Sequence, residues 1–227
     1  MNFKRKKQNI KFIIIHYTGM QSKRASLDRL LNPKYEVNCH YLIDRKGNVT
    51  KIIDEKKIAW HAGKSKWKNY EDLNKNSIGI ELVNRGHQFG YQSFTSIQIK
   101  KLIKICLILK KKYKIKRSNI LGHSDIAPLR KKDPGEKFPW KLLSEKGLGI
   151  WYYTKNTISP KYNPKILRSI FFKNIHKIGF RYFSKRTSKK NDDQVVRAFK
   201  RRFLQKKIDG KINQETLEIS HYLAKKL

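Results

Sequence analysis

The run KFIIIHYT (11–18) is the first constraint on what this chain can become. Its apolar stretch, Phe12–Ile15, is rich in β-branched side chains and reads as a short buried strand ending at His16. A secretory signal needs an apolar core of about 7–15 residues. No stretch of the chain approaches the ~18–20 apolar residues of a membrane span. The basic start, MNFKRKKQN, therefore reads as a flexible leader to the first strand. With no signal peptide visible, the cytoplasm is the default expectation, and association with the cell envelope stays open.

Other segments alternate between strand and helix signals. ASLDRLLN (25–32) has helical spacing, and CHYLIDRKGNVTKIID (39–54) alternates around the turn DRKGN, which predicts a hairpin. NSIGIELVN (76–84) is a second apolar strand with one carboxylate, Glu81, among its apolar neighbours. Thr95 and Gln98 have the spacing of a capping box. The period Ile99, Leu102, Ile103, Cys106, Leu109 then predicts a helix to about Tyr113. SNILGHSD (118–125) is a brief strand opening into the loop GHSDIAPLRKKDPG (122–135), and FPWKLLSEKG (138–147) is a last short helix with Pro139 near its first turn.

The expected fold class is therefore α/β (α+β), a mixed central sheet flanked by helices, over residues 1–150. The character changes after that. Residues 151–162, WYYTKNTISPKY, read as a linker. Residues 163–227 carry three helical patterns, Ile166–Ile175, Val195–Leu204 and Thr216–Leu223, with a turn at Asp209-Gly210 and Asn213 as a cap, so a small three-helix domain is expected there. SKRTSKKNDD (184–193) reads as a charged loop between helices.

The charge is lopsided. Against 54 Lys+Arg stand 17 Asp+Glu, a net +37, which attracts polyanions such as nucleic acid, anionic lipid or acidic cell-wall polymers. The basic residues are spread along the whole chain, as compositional drift would also leave them. IGFRYFSKR (178–186) is the clearest interleaving of aromatic and basic residues, and nucleic acid is the weaker partner expectation. Cys39 and Cys106 are too few for a disulfide framework, and there is no CxxC pair.

Polar groups sit at strand ends: His16 after one strand, Glu81 on another, His123 at the tip of a third, and Asp133 ten residues beyond it. Two imidazoles and a carboxylate make a three-ligand zinc set with an open fourth position, the arrangement of a catalytic site. Spacing alone is a modest signal here, weaker than a motif such as HExxH. A strand-end histidine is more often a hydrogen-bonded core residue.

IIIHYTG, NCHYLIDRKGNV, AWHAGKS, NSIGIELVN and GHSDIAPLRKKDPG occur in one order over about residues 10–145. In this the chain resembles the zinc-dependent N-acetylmuramoyl-L-alanine amidases, whose fold is shared with phage lysozyme-type amidases and peptidoglycan recognition proteins. DDQVVRAFKRRFLQKKIDGKINQETL (192–217) resembles, less specifically, the small helical peptidoglycan-binding module that accompanies some of them. The resemblance implies Zn2+ on His16, His123 and Asp133, with Glu81 as the catalytic carboxylate and Lys131 as the catalytic lysine. It places His40 and His61 along the substrate groove or in hydrogen bonds behind the ligands, and Trp60 either along the groove or in the core. The implied reaction is hydrolysis of the amide between N-acetylmuramic acid, or its anhydro form, and L-alanine of the stem peptide. The implied partner is peptidoglycan or a muropeptide, with a monomer sufficient. The alternative is a muropeptide-binding protein of the same fold that cuts nothing. Recognition proteins of that kind often lack a metal ligand, whereas the set here is complete. His87 has no sequence context, and Asp125 is expected to brace the loop.

Overall fold

The computed structural model describes residues 4–6, 9–153, 163–184 and 191–227. Its elements are β1 (Phe12–Tyr17), α1 (Lys23–Leu31), β2 (Tyr41–Ile43), β3 (Val49–Lys51), β4 (Lys66–Trp67), β5 (Tyr70–Glu71) and β6 (Ser77–Leu82). There follow α2 (Ser96–Tyr113), β7 (Ile120–Gly122), α3 (His123–Ile126), α4 (Trp140–Glu145), α5 (Pro164–Ile178), α6 (Asp192–Phe203) and α7 (Gln214–Lys225). The sheet has five strands in the order β3-β2-β6-β1-β7. β6 and β7 both run parallel to β1, β2 runs parallel to β6, and only β3 is antiparallel, as the second strand of the hairpin. This is the mixed sheet flanked by helices that the sequence predicts.

β1 and β6 are central and buried on both faces, which is why both read as nearly unbroken apolar runs. Strand alternation sorts their side chains. Ile13, Ile15, Ile78, Ile80 and Leu82 meet Ile99, Leu102, Cys106 and Leu109 of α2 and Trp140 and Leu143 of α4. Phe12, Ile14 and Leu121 face the other way. There they share one apolar cluster with Trp67, Phe171, Phe172 and Ile175 of α5, Phe199 and Phe203 of α6, and Leu217 and Leu223 of α7. The helices after residue 163 thus build the second covering layer of the sheet.

Three local readings change. Thr95 caps α2 by accepting from the Gln98 amide, but the Gln98 side chain does not return the bond. Its Nε2 donates to the carbonyls of Ile43 and Val83, tying the helix to the sheet ends. The basic leader is docked where it is described. Lys4 bridges to Lys57, and the Arg5 guanidinium donates to the carbonyls of Glu55, Asn74 and Ser77. His123 opens a single helical turn, α3, inside what reads as loop, because one turn is too short to show a period. The linker reading at 154–162 and most of the charged loop, 185–190, lie outside the described residues. Among the described residues no helix is long and apolar enough to cross a membrane.

Candidate metal centre

Parallel strands deliver their C-terminal ends to one edge, where open α/β sheets bind ligands. His16 and Glu81 are register partners on β1 and β6 and leave the sheet on the face opposite α2. Ile15 pairs with Gly122, so the next residue, His123, arrives beside His16. The loop returns Asp133 to the same point, fastened by the Ser124 amide donating to the Asp133 carbonyl. His16 Nδ1 lies 3.0 Å from His123 Nδ1 and 3.0 Å from Asp133 Oδ2, and His123 Nδ1 lies 3.1 Å from that oxygen.

The surrounding hydrogen bonds assign the imidazole protons. Ser77 donates its hydroxyl proton to the Leu73 carbonyl, so toward His61 Nε2 it can only accept. His61 Nδ1 is then a bare acceptor, and His16 Nε2 donates to it at 3.0 Å. His123 Nε2 donates to the Ala62 carbonyl at 3.0 Å. In the neutral rings this leaves both Nδ1 lone pairs facing the Asp133 carboxylate. Burial pushes the His16 pKa down to about 4, with His123 acting in the same direction, so the ring is neutral at neutral pH.

Three electron-rich atoms packed this closely, with no proton among them, repel one another unless a cation sits between them. Bonds of about 2.0–2.2 Å, as zinc makes to nitrogen and oxygen, put tetrahedral neighbours roughly 3.3–3.6 Å apart. The observed triangle is within a few tenths of an ångström of that. These three residues could hold a metal ion.

His16, His123 and Asp133 line one cleft of about 900 Å³ together with Glu81, Lys131 and His61. Glu81 is buried, and its Oε2 has no hydrogen-bond partner. Burial raises its pKa to about 8, with Asp133 adding to the rise and Lys131 opposing it. Arg29, Arg130 and Lys132 make the cleft wall basic.

The groove residues expected from the sequence divide. His61 is buried against β6, its amide and that of Ala62 both held by Asn74 Oδ1. A Cβ at Gly79 would come within 2.3 Å of the His61 ring, so the glycine of GIEL makes room for it. Of the two places expected for His40, it does not line the cleft: it is fully buried, accepts from the Gly79 amide, and contacts Arg5, the Lys57 carbonyl and the His61 ring. Trp60 lines a neighbouring hollow with Leu31, Pro33, Ile52 and Ile53. His87, which has no motif around it in the sequence, lines the cleft. Tyr17 donates to its Nδ1 at 2.7 Å, its Nε2 donates to Glu136, and Tyr91 stacks on it at 4.5 Å. Its place on the loop just past the Glu81 strand was the one available hint.

The family model described as N-acetylmuramoyl-L-alanine amidase matches residues 6–136, more than half of the sequence. The chain belongs to this amidase family. Within it, the chain is 39% identical over 154 residues to Escherichia coli N-acetylmuramoyl-L-alanine amidase AmiD, an alignment spanning 63% of this chain and 55% of that protein. The Haemophilus influenzae 1,6-anhydro-N-acetylmuramyl-L-alanine amidase AmpD is 33% identical over 152 residues, 59% of this chain and 80% of that one. By sequence the chain thus spans only about half the length of AmiD. In three dimensions the E. coli AmiD structure superposes with a TM-score of 0.83 at 30% identity, covering 96% of this chain and 90% of that one. AMPDH3 of Pseudomonas aeruginosa gives 0.83 at 27% identity, covering 99% and 93%. Both superpositions extend over the C-terminal helices of this chain as well as its sheet.

Proposed function

We propose that the protein is a zinc hydrolase that cleaves the amide joining N-acetylmuramic acid, or its anhydro form, to the L-alanine of a stem peptide. The carrying observation is the convergence in one cleft of the His16–His123–Asp133 lone-pair triangle, the unpartnered Glu81 and Lys131. A receptor that only holds muropeptides needs no such set. The substrate assignment comes from the relatives: the AmiD structure is a complex with anhydro-N-acetylmuramic acid-L-Ala-D-gamma-Glu-L-Lys. That peptide carries carboxylates, which the basic wall of Arg29, Arg130 and Lys132 suits.

Zinc held by the three residues would polarise the scissile carbonyl and make a nucleophile of water at neutral pH. Glu81 takes the proton of the attacking water and passes it to the departing alanine nitrogen. Lys131 sets its charge where the tetrahedral oxyanion develops, a contribution of about 3–4 kcal/mol in comparable sites. Mass spectrometry of muropeptides incubated with the purified protein tests the reaction. Free stem peptide is expected, lost on chelation and restored by zinc. An unchanged muropeptide after incubation with the zinc-loaded protein would leave only a receptor.

His61 has a part in the same proposal. By accepting from His16 Nε2 it keeps the Nδ1 lone pair on the metal side. Outer partners of this kind are worth about 10–100-fold in metal affinity. His61→Leu is expected to weaken zinc by that factor in a chelator competition, and His61→Gln, whose carbonyl still accepts, by less. Equal affinity in all three proteins would remove His61 from the metal centre.

A further inference from the structure

The turn that presents His123 is gripped from outside the family-matched region. Asp125, in α3, is 1% exposed; one carboxylate oxygen, Oδ2, accepts from the Gly122 amide at 2.8 Å. The same oxygen pairs with Nη1 of Arg202, which is 2% exposed at the end of α6. Arg202 Nη2 donates to the Ile120 carbonyl of β7 at 3.1 Å, and its guanidinium lies 4.0 Å from the Trp140 ring centroid. Three residues on, Gln205 Nε2 donates to the Phe138 carbonyl at 2.7 Å. The end of α6 thus holds both flanks of the segment that carries His123, Lys131 and Asp133.

Stability alone is a poor reason for such a pair. Two charges taken out of water cost so much that a well-packed apolar pair in their place is often as stable or more so. This pair is also incompletely satisfied: Asp125 Oδ1 and Arg202 Nε are buried without hydrogen-bond partners. An apolar pair lacks direction. The planar guanidinium fork aligns a carboxylate on α3 and a carbonyl on β7 at once. The Ser124 amide then transmits the position of α3 to Asp133 through its carbonyl.

We propose that Arg202 is a positioning residue of the metal centre, setting through Asp125 the turn that aims His123 and, through Ser124, Asp133. The C-terminal helices on this account complete the metal centre, whatever cell-wall affinity they also have. The inference rests on the zinc reading of the site.

Arg202→Met leaves a lone buried carboxylate, so two gentler variants carry the test. Arg202→Met/Asp125→Asn removes both charges and keeps an acceptor for the Gly122 amide. Arg202→Lys keeps the charge and loses the fork. Phe172→Leu, at a ring that packs on Phe171, Phe183 and Arg168, serves as the comparison that loosens the helices. Zinc affinity is measured by chelator competition well below each melting temperature. The double variant is expected to bind zinc about tenfold more weakly, at the lower end of the effect of outer partners. Arg202→Lys is expected to fall between it and the unmodified chain. Phe172→Leu is expected to melt earlier and to hold zinc within about twofold. Unchanged zinc affinity in the double variant and in Arg202→Lys overturns the inference while leaving the zinc site intact. Equal loss of affinity in Phe172→Leu also overturns it, by showing a general effect of stability. If the unmodified chain binds no zinc, the site reading fails and takes this inference with it.

Discussion

Glu81→Gln is expected to lower hydrolysis by about 10²–10⁴-fold, the usual contribution of a general acid–base group, while zinc stays bound. The same change is expected to stabilise the zinc-free fold. A carboxyl buried with an unpartnered oxygen resists ionisation, and burial with the nearby Asp133 raises the Glu81 pKa from 4.5 to about 8. A pKa raised on folding contributes stability that is fully present below the unfolded value, near 4.5, and lost as pH rises through 8. Between those two values each step of one pH unit removes about 1.36 kcal/mol, so the accumulated loss at pH 7 is about 3 kcal/mol. Glutamine has the same shape and never ionises. Melting curves of the chelated proteins should therefore coincide near pH 4 and separate by several degrees near pH 8, the variant melting higher. On the proposed mechanism the proton shuttle is the reason for keeping a destabilising group here, and a cation in the cluster would offset the Asp133 charge that helps raise its pKa. Coincident curves across the whole range would mean that Glu81 is solvated and the shuttle argument is unfounded.

What the sequence made legible follows from where the physical signal is local. β1 and β6 announce themselves because a strand buried on both faces must be apolar at consecutive positions. His16, Glu81, His123 and Asp133 stand out because they are polar where the chain should be apolar or turning, within motifs of the family. The His61 contact with His16 was out of reach, since it depends on a glycine, Gly79, in a third segment leaving room for a ring. Gln98 has capping-box spacing, but its side chain is claimed by carbonyls of the hairpin and of the β6 edge. The helical periods of α5–α7 show which faces are apolar without saying what covers them, and the answer is the second face of the sheet. Arg202 was invisible as one of 54 basic residues, with its partner 77 positions away.

His16→Ala is expected to abolish both hydrolysis and tight zinc binding, in contrast to Glu81→Gln. Zinc binding by structural sites is worth about 10–16 kcal/mol, roughly 3–4 kcal/mol per ligand, so one lost ligand costs several hundredfold in affinity. The substitution also breaks the hydrogen-bond relay, leaving His61 Nδ1 buried without its donor. The measurement is the melting temperature with and without zinc. At zinc a thousandfold above its dissociation constant the unmodified chain gains about 4 kcal/mol by mass action. With affinity reduced several hundredfold, the same zinc adds less than about 1 kcal/mol, so the zinc-dependent shift nearly vanishes. Glu81→Gln keeps the full shift, which separates holding the ion from moving the proton. A His16→Ala protein whose melting temperature still climbed with zinc as steeply as the unmodified chain's would put the ion somewhere other than the lone-pair triangle, and the catalytic assignment of Glu81 and Lys131 would lose its geometric basis.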